Sequence, residues 1–253
     1  MKQNIKIALL AAMAEEIDEV KTMLQEPKAV IVGNREFITG KLEGVDCVVA
    51  FSKWGKVAAT ITATLLITEF HVTHLLFIGT AGALASELKV GDIVVAKRLV
   101  QHDLDARPII SRFELPLLNK VYVDSDSELS AVASQAVTNL LNRGPESIVS
   151  AEAVKEFQLN PALHIGDVAS GDQFINSDEK RDELLRLLPN VLCVEMEGAA
   201  VAQTCLEFAV PFTVVRIISD SADHNARVDF TRFIQQVANA YSKAIVREFI
   251  TIF

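Results

Sequence analysis

"VLCVEMEGAAVAQ", residues 191–203, opens as an unbroken apolar run, turns through two carboxylates and leaves as a run of small residues. Successive side chains of a strand point to opposite faces of a sheet, so an unbroken apolar run suits a strand covered on both sides. The continuation "GAAVAQTCLEFA", from Gly198, is small enough to pack as a helix tightly against that sheet. Glu195 and Glu197 stand where strand becomes helix. A carboxylate taken out of water without a partner is costly, so the fold must pair each acid, protonate it or use it.

Apolar, β-branched runs recur along the chain, several of them continuous: "IKIALLAAM", "VDCVVAFSK", "HLLFIGTAG", "GDIVVAKRLV", "ALHIGDVASG" and "PFTVVRIISD". Helical patterns lie between several of them. "EEIDEVKTML" follows the first run and "KVAATITATLLITEF" the second. Ser125 with Glu128 forms a capping-box pattern ahead of a helix, Asn176 with Glu179 a weaker one, and "FTRFIQQVANAYSKAIVREF" closes the chain as an amphipathic helix. Strands alternating with helices predict an α/β fold with a largely parallel or mixed sheet. No repeat, low-complexity segment or Pro/Gly linker interrupts the pattern, so residues 1–253 read as one domain. One segment departs from it. "QHDLDARPIISRFELPLLNK", residues 101–120, is too long for an ordinary connection and reads as a lid, a partner contact or a packed excursion.

Composition narrows the function. Half of the 253 residues are hydrophobic, which supports a substantial core, and no stretch reaches the roughly 18 apolar residues of a membrane span. A formal charge of −9 argues against a phosphate-backbone partner. Cys47, Cys193 and Cys205 lie in apolar segments without metal-ligand spacing and read as reduced core residues of a cytoplasmic protein. Lys2, Lys6 and Ala12-Met13-Ala14 mimic a secretion signal, but the apolar run between them equally suits a first strand.

Ligands of open α/β sheets bind outside the carboxyl ends of the strands. Those ends carry Glu15 and Glu16, Thr80, Ser170 to Phe174, Glu195 to Glu197, and Arg216 to Asp220. Polar groups flanked by Met196 and Phe174 suit a small-molecule pocket. Each also has a structural reading. Glu15 and Glu16 favour a helix start, Asp220 and Asp223 suit caps, and Arg216 needs a carboxylate such as Glu195 or Glu197. "GTAGAL" lacks both the dinucleotide fingerprint and a Walker lysine. The five histidines, His71, His74, His102, His164 and His224, show no metal spacing.

Taken in order, "IALLAAMAEEI", "FSKWGKVAAT", "FIGTAGAL", "LKVGDIVVA", "VASGDQFI", "CVEMEGAAVA" and "VRIISDSAD" resemble the nucleoside phosphorylase/nucleosidase superfamily. Within it they are most similar to the nucleosidases of 5′-methylthioadenosine and S-adenosylhomocysteine. The resemblance implies an α/β domain with a twisted central mixed sheet, a homodimer, no cofactor or metal, and a place in methionine salvage. It implies that Glu16 activates water with help from Thr80 and Arg216, and that Asp220 protonates adenine N7 beside Ser219. Glu197 would bind the ribose hydroxyls with Met196 against the sugar and Glu195 in support. Phe174 would stack on the base and Ile175 would offer backbone groups to its edge. Met13, Ala81, Gly82 and Phe230 would complete the substrate contacts. Trp54 replaces a small aliphatic residue beside the 5′ substituent. The 101–120 loop also departs from the family pattern, in a region that reaches the neighbouring subunit's site. These departures leave 5′-deoxyadenosine and 6-amino-6-deoxyfutalosine as alternative substrates. A phosphorylase is disfavoured, because Phe77 stands where related phosphorylases place a phosphate-binding arginine.

Overall fold

All seven apolar runs are strands in the computed structural model, which describes residues 5–222 and 226–253, the last of these without the side chains of 226–229. Asp223 and His224 lie outside the described residues. In chain order the strands are β1 (Lys6–Ala11), β2 (Gln25–Val32), β3 (Arg35–Leu42), β4 (Val45–Phe51), β5 (His74–Ala83), β6 (Ile93–Gln101), β7 (Val123–Asp124), β8 (Leu163–Ser170), β9 (Val191–Glu195) and β10 (Phe212–Asp220). The helices are α1 (Asp18–Lys21), α2 (Lys56–Thr68), α3 (Ser127–Leu141), α4 (Ala151–Glu156), α5 (Asp178–Leu187), α6 (Gly198–Glu207), α7 (Ala226–Phe233) and α8 (Asn239–Ile252). The result is one α/β domain around a central mixed sheet.

β10 pairs with both β5 and β6, so the path β5–β10–β6–β8–β9 returns to β5 and closes a ring, while β1, β4, β3 and β2 extend the sheet from β5. Side-chain parity shows why the runs are unbroken. Ile7, Leu9 and Ala11 of β1 join a core with α3 and α8, whereas Ala8 and Leu10 join a second core with α2 and α6. Each buried Ile or Leu among them contributes roughly 1.5–3 kcal/mol, and both faces of β1 are filled.

Several local expectations are corrected. The helix expected over 15–24 is a 3₁₀ turn (Ala14–Glu16) followed by the single turn α1. α3 is capped by Asp126, whose carboxylate accepts from Glu128 N and Leu129 N, in place of Ser125; α5 is capped by Ser177 in place of Asn176. A carboxylate one residue nearer the helix reaches two free N–H groups, which Ser125 does not. The closing helix is α7, a π segment (Ile234–Ala238) and α8 in succession. The hairpin β2–β3 escaped the apolar-run criterion because β2 is an exposed edge strand. In the long segment after β6, Phe113 and Leu115 are buried while Ile109 and Leu117 are almost fully exposed, so it is packed at its base and open at its tips.

β1, β5 and β10 are parallel neighbours, so their carboxyl ends emerge on one edge. β9 crosses the end of β5 at Gly82 and Ala83 and brings its own end to the same place. That crossing positions the site.

Candidate active site

A cavity of about 260 Å³ opens on this edge. Its wall holds Met13, Glu16, Trp54, Thr80, Ala81, Gly82, Phe174, Ile175, Glu195, Met196, Glu197, Ser219, Asp220 and Phe230, every position expected from the sequence except Arg216. Ala12, Gln173 and Val194 also line it, each the chain neighbour of an expected residue.

The two opening acids have different fates. Glu195 is paired. Its Oε2 lies 2.7 Å from Arg216 Nη2, and its carboxylate accepts from Glu197 N (3.1 Å) and Gly198 N (2.8 Å). Ser170 Oγ also donates to it. An anion is thereby seated on the amino end of α6, where the helix dipole favours it. Gly198 is required there, since a Cβ would lie 2.8 Å from Leu99 Cδ2 and 3.0 Å from Glu195 Oε1. Arg216, 1% exposed, stacks 4.1 Å over the Phe77 ring, so it stands behind the cavity wall. Its Nη2 is held by Glu195 and its Nη1 faces Val215 O (3.2 Å) and Phe77 O (3.5 Å), so the expected place on the cavity wall is corrected to one behind it.

No cation pairs with Glu197 among the described residues. Among the described residues its carboxylate accepts one hydrogen bond, from Gly55 N at 2.7 Å. Burial, and then the negative charge of Glu195, push its pKa up to about 8 against the opposing pull of the Gly55 N–H and Arg216. The remaining lone pairs are available to a ligand in the cavity.

Glu16 is fully enclosed. Ala12 N and Met13 N each lie 3.0 Å from its Oε2, and Thr80 N (2.9 Å) and Oγ1 (2.8 Å) meet its Oε1. This is why residues 14–16 turn tightly instead of extending a helix: the side chain folds back onto the N–H groups at the end of β1. Burial raises its pKa, opposed by the Arg216 charge and these donors. Gly79 lets the two groups approach, since a Cβ there would sit 3.1 Å from Glu16 Oε1 and 3.3 Å from Arg216 Nη1.

Asp220 is buried at the end of β10. Its Oδ1 accepts from Ala222 N (2.9 Å) and its Oδ2 lies 2.8 Å from Ser219 Oγ. Ser219 Oγ also lies 3.3 Å from Ala81 O. A hydroxyl has one hydrogen, so Ser219 can donate to an ionised Asp220 or turn to Ala81 and accept from a protonated one. Phe174 and Phe230 meet edge to face at 6.0 Å on the apolar side of the cavity.

The wall thus offers four carboxylates, two hydroxyls and an aromatic pair. Among the described residues no Lys, Arg or His lines it. The family model described as the phosphorylase superfamily matches residues 6–251. The chain belongs to that superfamily. Its relatives include an aminodeoxyfutalosine nucleosidase of Helicobacter pylori, 35% identical over 94% of this chain and 95% of the relative. A 5′-methylthioadenosine/S-adenosylhomocysteine nucleosidase of Geobacillus thermodenitrificans is 33% identical over 98% and 97%. Among solved structures, that of the 5′-methylthioadenosine/S-adenosylhomocysteine nucleosidase of Colwellia psychrerythraea in complex with adenine superposes with a TM-score of 0.86 at 29% identity, covering 99% of this chain and 96% of that one. Within the superfamily these relatives are nucleosidases.

Proposed function

We propose that this superfamily member hydrolyses the N-glycosidic bond of 5′-substituted adenine nucleosides, with 5′-methylthioadenosine and S-adenosylhomocysteine as substrates, releasing adenine and the free 5-thioribose derivative. The observation that carries the reading is a cavity with Glu16, Glu197 and Asp220 on one wall and no described cation to receive phosphate. Glu197 accepts from the ribose hydroxyls and faces the positive charge that grows on the sugar as the bond breaks. Asp220 protonates the departing base, with Ser219 serving both of its protonation states. Glu16, raised by burial and aligned by four donors, takes a proton from the attacking water while Thr80 helps to hold that water. Arg216 acts from behind, neutralising Glu195 and lowering the proton affinity of Glu16 and Glu197. Phe174 stacks on adenine, Ile175 meets its edge through the backbone, and Met13, Met196 and Phe230 enclose the sugar and base.

In this reading residues 1–253 act as one nucleosidase domain in methionine salvage, in the cytoplasm and as a homodimer. Buried free thiols at Cys47, Cys193 and Cys205 support the compartment. No described helix is long and apolar enough to cross a membrane. Trp54, Val57 and Ile61 on and before α2, and Ile109 and Leu117 of the long loop, are exposed apolar side chains of the kind that a second subunit would cover. The 101–120 loop then lies near the partner's site.

A second reading, hydrolysis of 6-amino-6-deoxyfutalosine, is favoured by the Helicobacter pylori relative. The test is adenine release from 5′-methylthioadenosine, S-adenosylhomocysteine, 5′-deoxyadenosine and 6-amino-6-deoxyfutalosine. The first two are expected to give the highest kcat/KM. A dominant rate on the last moves the assignment to the second reading, and release from none of them contradicts the proposal.

A further inference from the structure

The Gly55 N–H that meets Glu197 is itself held in an unusual place. Gly55 precedes α2 with φ of 88°, a left-handed conformation that favours glycine, and a Cβ there would lie 2.8 Å from Asp172 Oδ1. The next N–H, of Lys56, donates to the same Asp172 Oδ1 at 2.8 Å. The Lys56 side chain reaches across to Asp103 Oδ1 (2.6 Å) and Gln101 Oε1 (3.1 Å) at the base of the long loop. Asp172 N closes the circuit on Asp103 Oδ2 at 2.9 Å. Three segments distant in sequence, 55–56, 101–103 and 172, are thus tied together by charge-assisted hydrogen bonds, and one N–H of the assembly points at Glu197. None of Lys56, Asp103 and Asp172 lines the cavity.

We propose that Lys56, Asp103 and Asp172 are positioning residues for Glu197: they fix the start of α2 so that Gly55 N–H orients the carboxylate toward the ribose hydroxyls. The inference rests on the assignment of Glu197 to the ribose. A bracket of this kind acts through a single contact, so its loss is felt by substrates that use Glu197 and little by those that do not. That separates positioning from general support of the fold, which would weaken all substrates alike.

The experiment compares kcat/KM on 5′-methylthioadenosine and on its 2′,3′-dideoxy analogue for the wild type, Lys56→Met, Asp172→Ala and Glu197→Gln. Comparing proteins on the same pair cancels the different intrinsic reactivity of the two sugars. The ratio of ribo to dideoxy rates is expected to fall about tenfold in Lys56→Met and Asp172→Ala, as for the loss of one well-placed hydrogen bond, and further in Glu197→Gln. Equal losses on both substrates in the two bracket variants, or no loss, with a collapsed ratio in Glu197→Gln, overturn the positioning role and leave the reading of Glu197 intact. An unchanged ratio in Glu197→Gln overturns that reading and the inference with it.

Discussion

Asp220→Asn is expected to lower kcat on 5′-methylthioadenosine by about three orders of magnitude, within the range general acids contribute, while a non-hydrolysable adenosine analogue binds within severalfold of the wild type. The substitution is close to isosteric. The carbonyl oxygen of the new amide would still accept from Ala222 N, the contact Asp220 Oδ1 makes at 2.9 Å. Asparagine has no acidic proton to hand to a purine nitrogen, so the loss falls on the chemical step. A loss confined to KM would show that Asp220 serves binding, and unchanged turnover would remove it from the mechanism. Steady-state kinetics with a parallel binding titration separates these outcomes.

Glu197→Gln is expected to do two opposite things. It removes the carboxylate that the ribose hydroxyls and the growing positive charge of the sugar favour in its ionised form in the complex, so kcat falls by about 10²–10³, the scale of losing one electrostatic contact to a transition state. It also removes a buried acid from an unfavourable place, so the ligand-free protein becomes more stable at alkaline pH. The sign follows from proton binding. With a folded pKa of about 8 against an ordinary value of 4.5, the native state holds a proton that the unfolded chain has released between those values. Stability of the wild type therefore falls as pH rises from about 4.5 to about 8, and the deficit persists above that range. The deficit is expected to show as a lower melting temperature of the wild type at alkaline pH. Melting curves of the two proteins should converge near pH 5 and separate toward pH 9 with the variant higher. Parallel curves would contradict the account of Glu197 as a strained acid. This is the usual stability–function opposition located in one side chain.

Much of the architecture was legible because burial on both faces leaves a plain signature: every unbroken apolar run became a strand of the central sheet. β2 left no such signature, being an exposed edge whose apolar residues have nothing to cover them. The acids over 15–24 looked like a helix start, yet Glu16 satisfies its carboxylate on the N–H groups of Ala12 and Met13, and that local closure overrides propensity. At the site, strand ends and family resemblance together picked out the residues that line one cavity. The resemblance gave Glu197 the ribose and Glu195 a supporting place, and the structure supplies the physical difference between the two acids. Glu195 and Glu197 look alike in "VEMEG", but one faces Arg216 from β10 and the other meets a backbone N–H from the start of α2. Partners 21 and 142 residues away leave no trace in local sequence. Arg216 was expected at the substrate because its strand end is, although its parity turns it toward Phe77 and Glu195. Gly55 and Lys56 carried no individual signal, and Asp172 only that of a polar strand end; a glycine before a helix and an exposed aspartate are ordinary until their contacts are seen.

The most direct test of a carboxylate-lined hydrolytic cavity is the fate of 5′-methylthioadenosine in the presence and absence of inorganic phosphate. Adenine release at one rate under both conditions, with the free 5-methylthioribose as the sole sugar product, is the expected result. A rate that depends on phosphate and yields the sugar 1-phosphate would contradict it.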